Sequence, residues 1–177
     1  MRDKLPQMCY DKEKPGKEAR SVIENHGLIE YLLTAGGDFS DRESLTARQI
    51  KHFTDEMPGG FFIYRNSDGQ ILYVNRAVLQ IFGCETEEEF RALTGGTFQG
   101  MIHPEDAEDV EDSIREQIAQ NSFDLDYVEY RIVQKDGSVC WVEDFGHFIQ
   151  TENLGGVFYV FLADITERYR RRVAERA

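Results

Sequence analysis

Tyr127-Val-Glu-Tyr-Arg-Ile-Val133, Lys135-Asp-Gly-Ser138, Val139-Cys-Trp-Val142 and Val157-Phe-Tyr-Val-Phe-Leu-Ala163 decide the fold. The first run is rich in β-branched and aromatic residues, and so is the run from Val139 through Phe145 to Ile149. An Asp-Gly pair between two such runs signals a hairpin. After a polar, Gly-containing break from Thr151 to Gly156, the third run is apolar at every position. A strand without a polar face is expected mid-sheet, covered on both sides. It leads directly into Asp164-Ile-Thr166 and a charged, helix-favouring tail, which couples a buried strand to an exit helix.

Working outward, the N-terminal side supplies the other half of a sheet. Phe61-Phe-Ile-Tyr64, the turn Ser67-Asp-Gly69 and Ile71-Leu-Tyr-Val74 form a second hairpin. Asn75 caps a short helix from Arg76 to Phe82, which Gly83 closes. Thr86 and Glu89 form a capping box opening a helix expected to bury Phe90 and Leu93. His103-Pro-Glu-Asp106 puts Pro and acids where a helix N-terminus favours them. The helix that follows is expected to bury Ala107, Val110, Ile114 and Ile118 and to expose an acidic face. Hairpin, helices, then three antiparallel strands make an α+β domain: a five-stranded antiparallel sheet with its helices on one face.

Ahead of this lies a helical extension. Thr46 and Gln49 read as a capping box, flanked by a Leu45–Ile50 staple, and Pro58-Gly-Gly60 stops the helix. Its stripe of Ile50, Phe53 and Met57 is the expected cover, or dimer contact, for the sheet's other face. Residues 1–45 read as a tail and helical extension, 46–166 as the domain, and 167–177 as the start of an output helix.

The chain has 177 residues, 41% hydrophobic and 12% aromatic, with a formal net charge of −13. This is enough for one core and an appendage. The acidic balance argues against nucleic acid and anionic membrane surfaces as partners. No apolar run approaches the roughly 20 residues of a membrane span, and the N-terminus lacks a signal-peptide core. Three cysteines fit a reducing compartment, so a cytoplasmic location is expected.

From about Phe53 to Thr166 the chain resembles a PAS domain with its PAC extension, a bacterial sensory module. The resemblance rests on Asp68-Gly69, Ile71-Leu-Tyr-Val-Asn75, Ile81-Phe-Gly83, Glu89-Phe90, His103-Pro-Glu-Asp106, Tyr130-Arg131, Lys135-Asp-Gly-Ser138, Trp141-Val142 and Asp164-Ile-Thr166. No one of these is specific; their order is. The family implies strand order 2-1-5-4-3, with Val157–Ala163 central, and an output such as a diguanylate cyclase or histidine kinase. The sequence contains neither output. Gly36-Gly-Asp-Phe-Ser40 lacks the second acid of the cyclase signature.

The interior chemistry is apolar and aromatic with polar handles. Cys84 and Cys140 read as packing thiols, His103 as a turn residue and His147 as a strand residue. No metal spacing, nucleotide loop or nucleophile elbow is present. No catalytic residue, metal, covalent flavin or haem is therefore expected, and an unidentified small-molecule ligand remains open. Candidate pocket residues are Tyr64, Tyr73, Phe90, Val110, Ile114, Ile118, Tyr130, Trp141 and Tyr159. Asp164, Ile165 and Thr166 are the candidate transmission junction. Ile165, Tyr169 and Val173 lie at i, i+4 and i+8, a seam able to pair with a second copy. A homodimer through the N- and C-terminal helices is thus expected. The functional readings are a sensory domain acting on an attached output, or a ligand-free dimerisation module.

Overall fold

The computed structural model describes Gln49, residues 51–120 and residues 123–176. The strands are β1 (Gly60–Arg65), β2 (Ile71–Val74), β3 (Leu125–Val133), β4 (Val139–Thr151) and β5 (Gly155–Asp164). The helices are α1 (Arg76–Ile81), α2 (Glu87–Thr94), α3 (Phe98–Met101), α4 (Ala107–Gln120) and α5 (Thr166–Ala174). The five strands form one antiparallel sheet in the order β2-β1-β5-β4-β3, as the hairpins and the resemblance led us to expect.

Local chemistry fixes the helices between the hairpins. The Asn75 side chain accepts from the N–H of Val78 at 3.2 Å, and also from Phe61 N–H at 2.9 Å, so one amide caps α1 and ties it to β1. Gly83 follows with φ of 68°, where a side chain would be strained. Thr86 accepts from Glu89 N–H at 3.2 Å, while the Glu89 carboxylate reaches back to Glu85 N–H at 2.9 Å. Phe90 is buried as expected, but Leu93 is exposed and Thr94 is buried in its place. The Thr94 hydroxyl can enter because it donates to the Phe90 carbonyl at 2.9 Å.

Helices α1 to α4 cover one sheet face. Against them lie Phe62 and Tyr64, Val128, Tyr130 and Ile132, Cys140 and Val142, and Phe158, Val160 and Leu162. The alternate residues point to the opposite, outer face. There β5 departs from the expectation of double burial. Val157 is fully buried, but Phe161 is 50% exposed and its β4 neighbour Phe145 is 52% exposed. Phe61, Phe161, Phe145 and Tyr127 stand in register across β1, β5, β4 and β3. The segment over residues 51–55 is helical and sits beside β2, turning Thr54 inward to bond Tyr73 and Asn75. Phe53 is 68% exposed and Met57 half-buried. Ile50, Thr46 and Leu45 lie outside the described residues.

Candidate functional site

On the helix side, a cleft of about 830 Å³ opens between α4, α3 and the β1–β2 turn. Its size falls within the range of small-molecule sites. Tyr64, Phe98, Phe148, Phe158, Ile114 and Ile118 wall it, with Glu111 and Arg115 among its polar residues. The aromatic wall is layered: the Tyr64 ring stacks on Phe98 at 4.4 Å and on Phe158 at 4.8 Å, and Phe148 tilts against Phe158 at 5.2 Å.

The same sheet face carries two buried acids that the alternation of β3 and β4 places among apolar neighbours. Asp144 is 1% exposed and accepts the Tyr130 hydroxyl at 2.9 Å. Asp126 is 4% exposed, and neither carboxylate oxygen has a hydrogen-bond partner among the described residues. It stands over Gly146, its register partner; a Cβ there would collide with the carboxylate. Burial pushes the Asp126 carboxyl up to about 6. Burial, then the Asp126 charge, push Asp144 well above the usual carboxylate range. The Tyr64 hydroxyl is raised by burial and then by the charges of Asp144, Asp126 and Glu111.

At the end of β5 the chain turns into α5 against the outer face. Ile165 N–H donates to the Trp141 carbonyl at 2.8 Å, and Trp141 N–H donates to the Thr166 hydroxyl at 3.0 Å. Asp164 accepts Thr166 N–H at 2.8 Å. Burial alone would raise the Asp164 carboxyl, but the two Thr166 hydrogen bonds and smaller contributions together hold it below its ordinary value. Tyr169 stacks on Trp141 with ring centroids 3.9 Å apart. Arg172 grips Glu129 through two bonds of 2.5 and 3.1 Å, and Arg168 reaches Glu143 at 2.5 Å. The Arg172 bonds hold the Glu129 carboxyl below its ordinary range.

Of the residues named from the sequence, Tyr64, Ile114 and Ile118 line the cleft. Phe90, Val110 and Tyr130 belong to the closed core. Tyr73, Trp141 and Tyr159 take the outward phase of their strands. The seam faces this chain's own sheet, with Ile165 buried and Tyr169 on Trp141; only Val173 projects outward. Sequence reading missed Asp126, Asp144 and the walls Phe98, Phe148 and Phe158. The signal was there for the acids: Asp126 shares the phase of Val128 and Tyr130, and Asp144 that of Val142.

The family profile described as the PAS fold matches residues 71–160. A search of curated proteins finds no match to the chain. Among solved structures, the PAS domain of a two-component sensor histidine kinase superposes with a TM-score of 0.54 at 16% identity, covering 68% of this chain and 97% of that one. A PAS domain from Colwellia psychrerythraea gives 0.54 at 23%, with 68% and 97% covered. A sensory box histidine kinase/response regulator from Burkholderia thailandensis gives 0.51 at 20%, with 77% and 93% covered. At these identities the likeness is one of fold.

Proposed function

Because the chain belongs to the PAS-fold family, we propose that it is a cytoplasmic sensory domain of a bacterial signal-transduction protein. It binds a small molecule in the helix-side cleft and passes the change to an attached output through Asp164, Ile165, Thr166 and α5. It acts by binding rather than by catalysis. One observation carries the reading: β5 lines the cleft with Phe158 and, six residues later, becomes the junction that docks α5. A ligand that displaces Phe158 therefore pulls on the strand that holds the helix. The kinase context of two structural neighbours supports the sensory role.

The transmission step is tested with Asp164→Ala in a protein carrying its natural output. Losing this helix-start acceptor costs about 0.5–2 kcal/mol, too little to unfold a domain with roughly 5–15 kcal/mol in hand. Melting should therefore change little while signal-dependent regulation fades. Regulation that persists unaltered, with α5 equally ordered, shows that Asp164 is a local anchor only.

A second reading, a ligand-free module that pairs copies and sets output geometry, is favoured by the half-exposed Phe161 and Phe145. Native mass spectrometry of protein purified from its host separates the two. A stoichiometric small molecule supports sensing; a bare dimer supports the pairing module.

A further inference from the structure

Deepening the sensory reading on which it rests, we propose that the helix-side cleft selects an uncharged aromatic carboxamide or lactam. The Tyr64 hydroxyl donates to its carbonyl, and the Glu111 carboxylate accepts from its N–H.

The lining of the cleft divides in two. Its inner wall is aromatic and aliphatic, with Phe98, Phe158 and Ile114 all buried. Its rim is polar and carries Asp68 and Arg115. Both of these side chains are more than half exposed and already engaged, Asp68 with Arg65 at 3.0 Å and Arg115 with Asp112 at 2.7 Å. The buried acids Asp126 and Asp144 are not part of the lining.

Two lining groups are left with something to offer. The Tyr64 ring is held between Phe98 and Phe158, near-parallel to both at 7° and 5°. With both faces covered, it presents only its edge and its hydroxyl. Tyr64 is 5% exposed, and its hydroxyl makes no hydrogen bond to any described residue. Burial and the neighbouring acids hold the proton on it, so it stands as a donor. Glu111 of α4, half-buried, likewise has no hydrogen bond or ion pair with a described residue. Arg115, one turn further on, bonds Asp112 instead. The Glu111 charge is felt at the Tyr64 hydroxyl, so one molecule can span the two groups.

A ligand that drives water from such a wall must itself supply the bonds that water would have made. A carbonyl answers the hydroxyl and an adjacent N–H answers the carboxylate; an amide holds both on one rigid plane. A carboxylate ligand would meet Glu111 as a like charge. An ammonium has no lone pair to take the Tyr64 proton. The aromatic body of the ligand suits the rings of Phe148 and Phe158, tilted 56° to each other at 5.2 Å, with Ile114 and Ile118 of α4 completing the apolar wall.

The experiment is an NMR-followed titration of the whole chain with benzamide and 2-naphthamide, each against the carboxylate, aminomethyl and methyl compound of the same ring. Saturable shifts centred on Phe98, Phe148 and Phe158 are expected, with the amides tighter than the other three by about tenfold. Tyr64→Phe keeps the stacked ring and gives up no hydrogen bond to a described residue. It should weaken the amides about tenfold and leave the methyl compounds unchanged, a split that a merely structural hydroxyl would not give. Glu111→Gln should bring the carboxylates closer to the amides; carboxylate binding unaltered by this change overturns the part given to Glu111. The probe series on the unmodified protein holds even if a variant folds poorly. Methyl compounds, amines or carboxylates binding as well as the amides, or an amide preference that survives Tyr64→Phe, overturns the amide class and leaves the sensory reading intact. If no probe binds, the molecule carried by protein purified from its host decides. An aromatic amide or lactam upholds the proposal, any other molecule overturns it alone, and no molecule at all overturns the sensory reading with it.

Discussion

The two faces of the sheet are built from the same strands and solve different problems. On the helix side, Phe62, Tyr130 and Val142 are closed off by α1 to α4, and the irregularity there is polar: two acids held in an apolar layer. On the outer side the irregularity is apolar: Phe161 and Phe145 face solvent, while charged groups of α5 clamp the neighbouring strands. Adjacent residues of one strand thus live in opposite environments. An exposed ion pair contributes little to stability, so α5 is held by many weak contacts, whereas the helix-side core is held by close burial. Strand alternation keeps the two environments apart.

The comparison breaks most visibly at β1. Phe62→Ala, fully buried against α-helical neighbours, should lower stability by about 3–5 kcal/mol in denaturant unfolding. A loss near zero would mean that the helix layer is loosely packed.

Next comes the buried acid, with the opposite sign. The Asp126 carboxyl titrates at about 6 in the folded chain and near ~3.9 when unfolded. Between those values the folded state keeps a proton that the unfolded state has lost. Its contribution is therefore full below pH ~4 and is lost as the pH rises through 6, by on the order of 3 kcal/mol. Asp126→Asn should remove that decline: the melting temperature rises by several degrees above pH 7 and stays unchanged near pH 4. A variant melting lower at every pH would show that the carboxylate has a partner.

The α5 clamp is smaller. Tyr169→Ala removes the stack on Trp141, worth about 0.5–1.5 kcal/mol beyond area. Trp141 is the chain's one tryptophan, so its emission should shift toward that of a solvated indole while the melt moves little. An unchanged spectrum would mean that the ring is shielded by something other than α5.

The smallest effect sharpens the outer face. Phe161→Ser gives up the buried half of the side chain and its contact with the Phe61 ring at 5.3 Å, so monomer stability should fall by about 1 kcal/mol, and the apparent mass in light scattering should drop if copies pair through this row. A large stability loss at dilutions where the protein is monomeric would show that the row is covered within one chain.

Much of this molecule was open to reading before its structure. Asn75 with Val78, Thr86 with Glu89 and the Asp-Gly turns are local devices whose partners lie within a few residues, and the chain needs nothing distant to form them. The same is true of the α+β class and of the Asp164 contact with Thr166. The inward or outward phase of each strand is not local: Trp141 and Tyr159 look as suited to a pocket as Tyr64 does until the register with neighbouring strands is set. Tyr169 and Val173 likewise fit a seam toward another copy or toward their own sheet, and only the direction in which α5 leaves β5 decides between them. Asp126 and Asp144 lie 18 residues apart in number, yet the β3–β4 register sets them on one face beside a glycine whose missing side chain makes the room. Hydrophobic pattern and caps determined which elements form, because those free energies depend on neighbours along the chain. Pairing register and helix docking decided what lines the cleft, because those contacts exist only once distant segments have met.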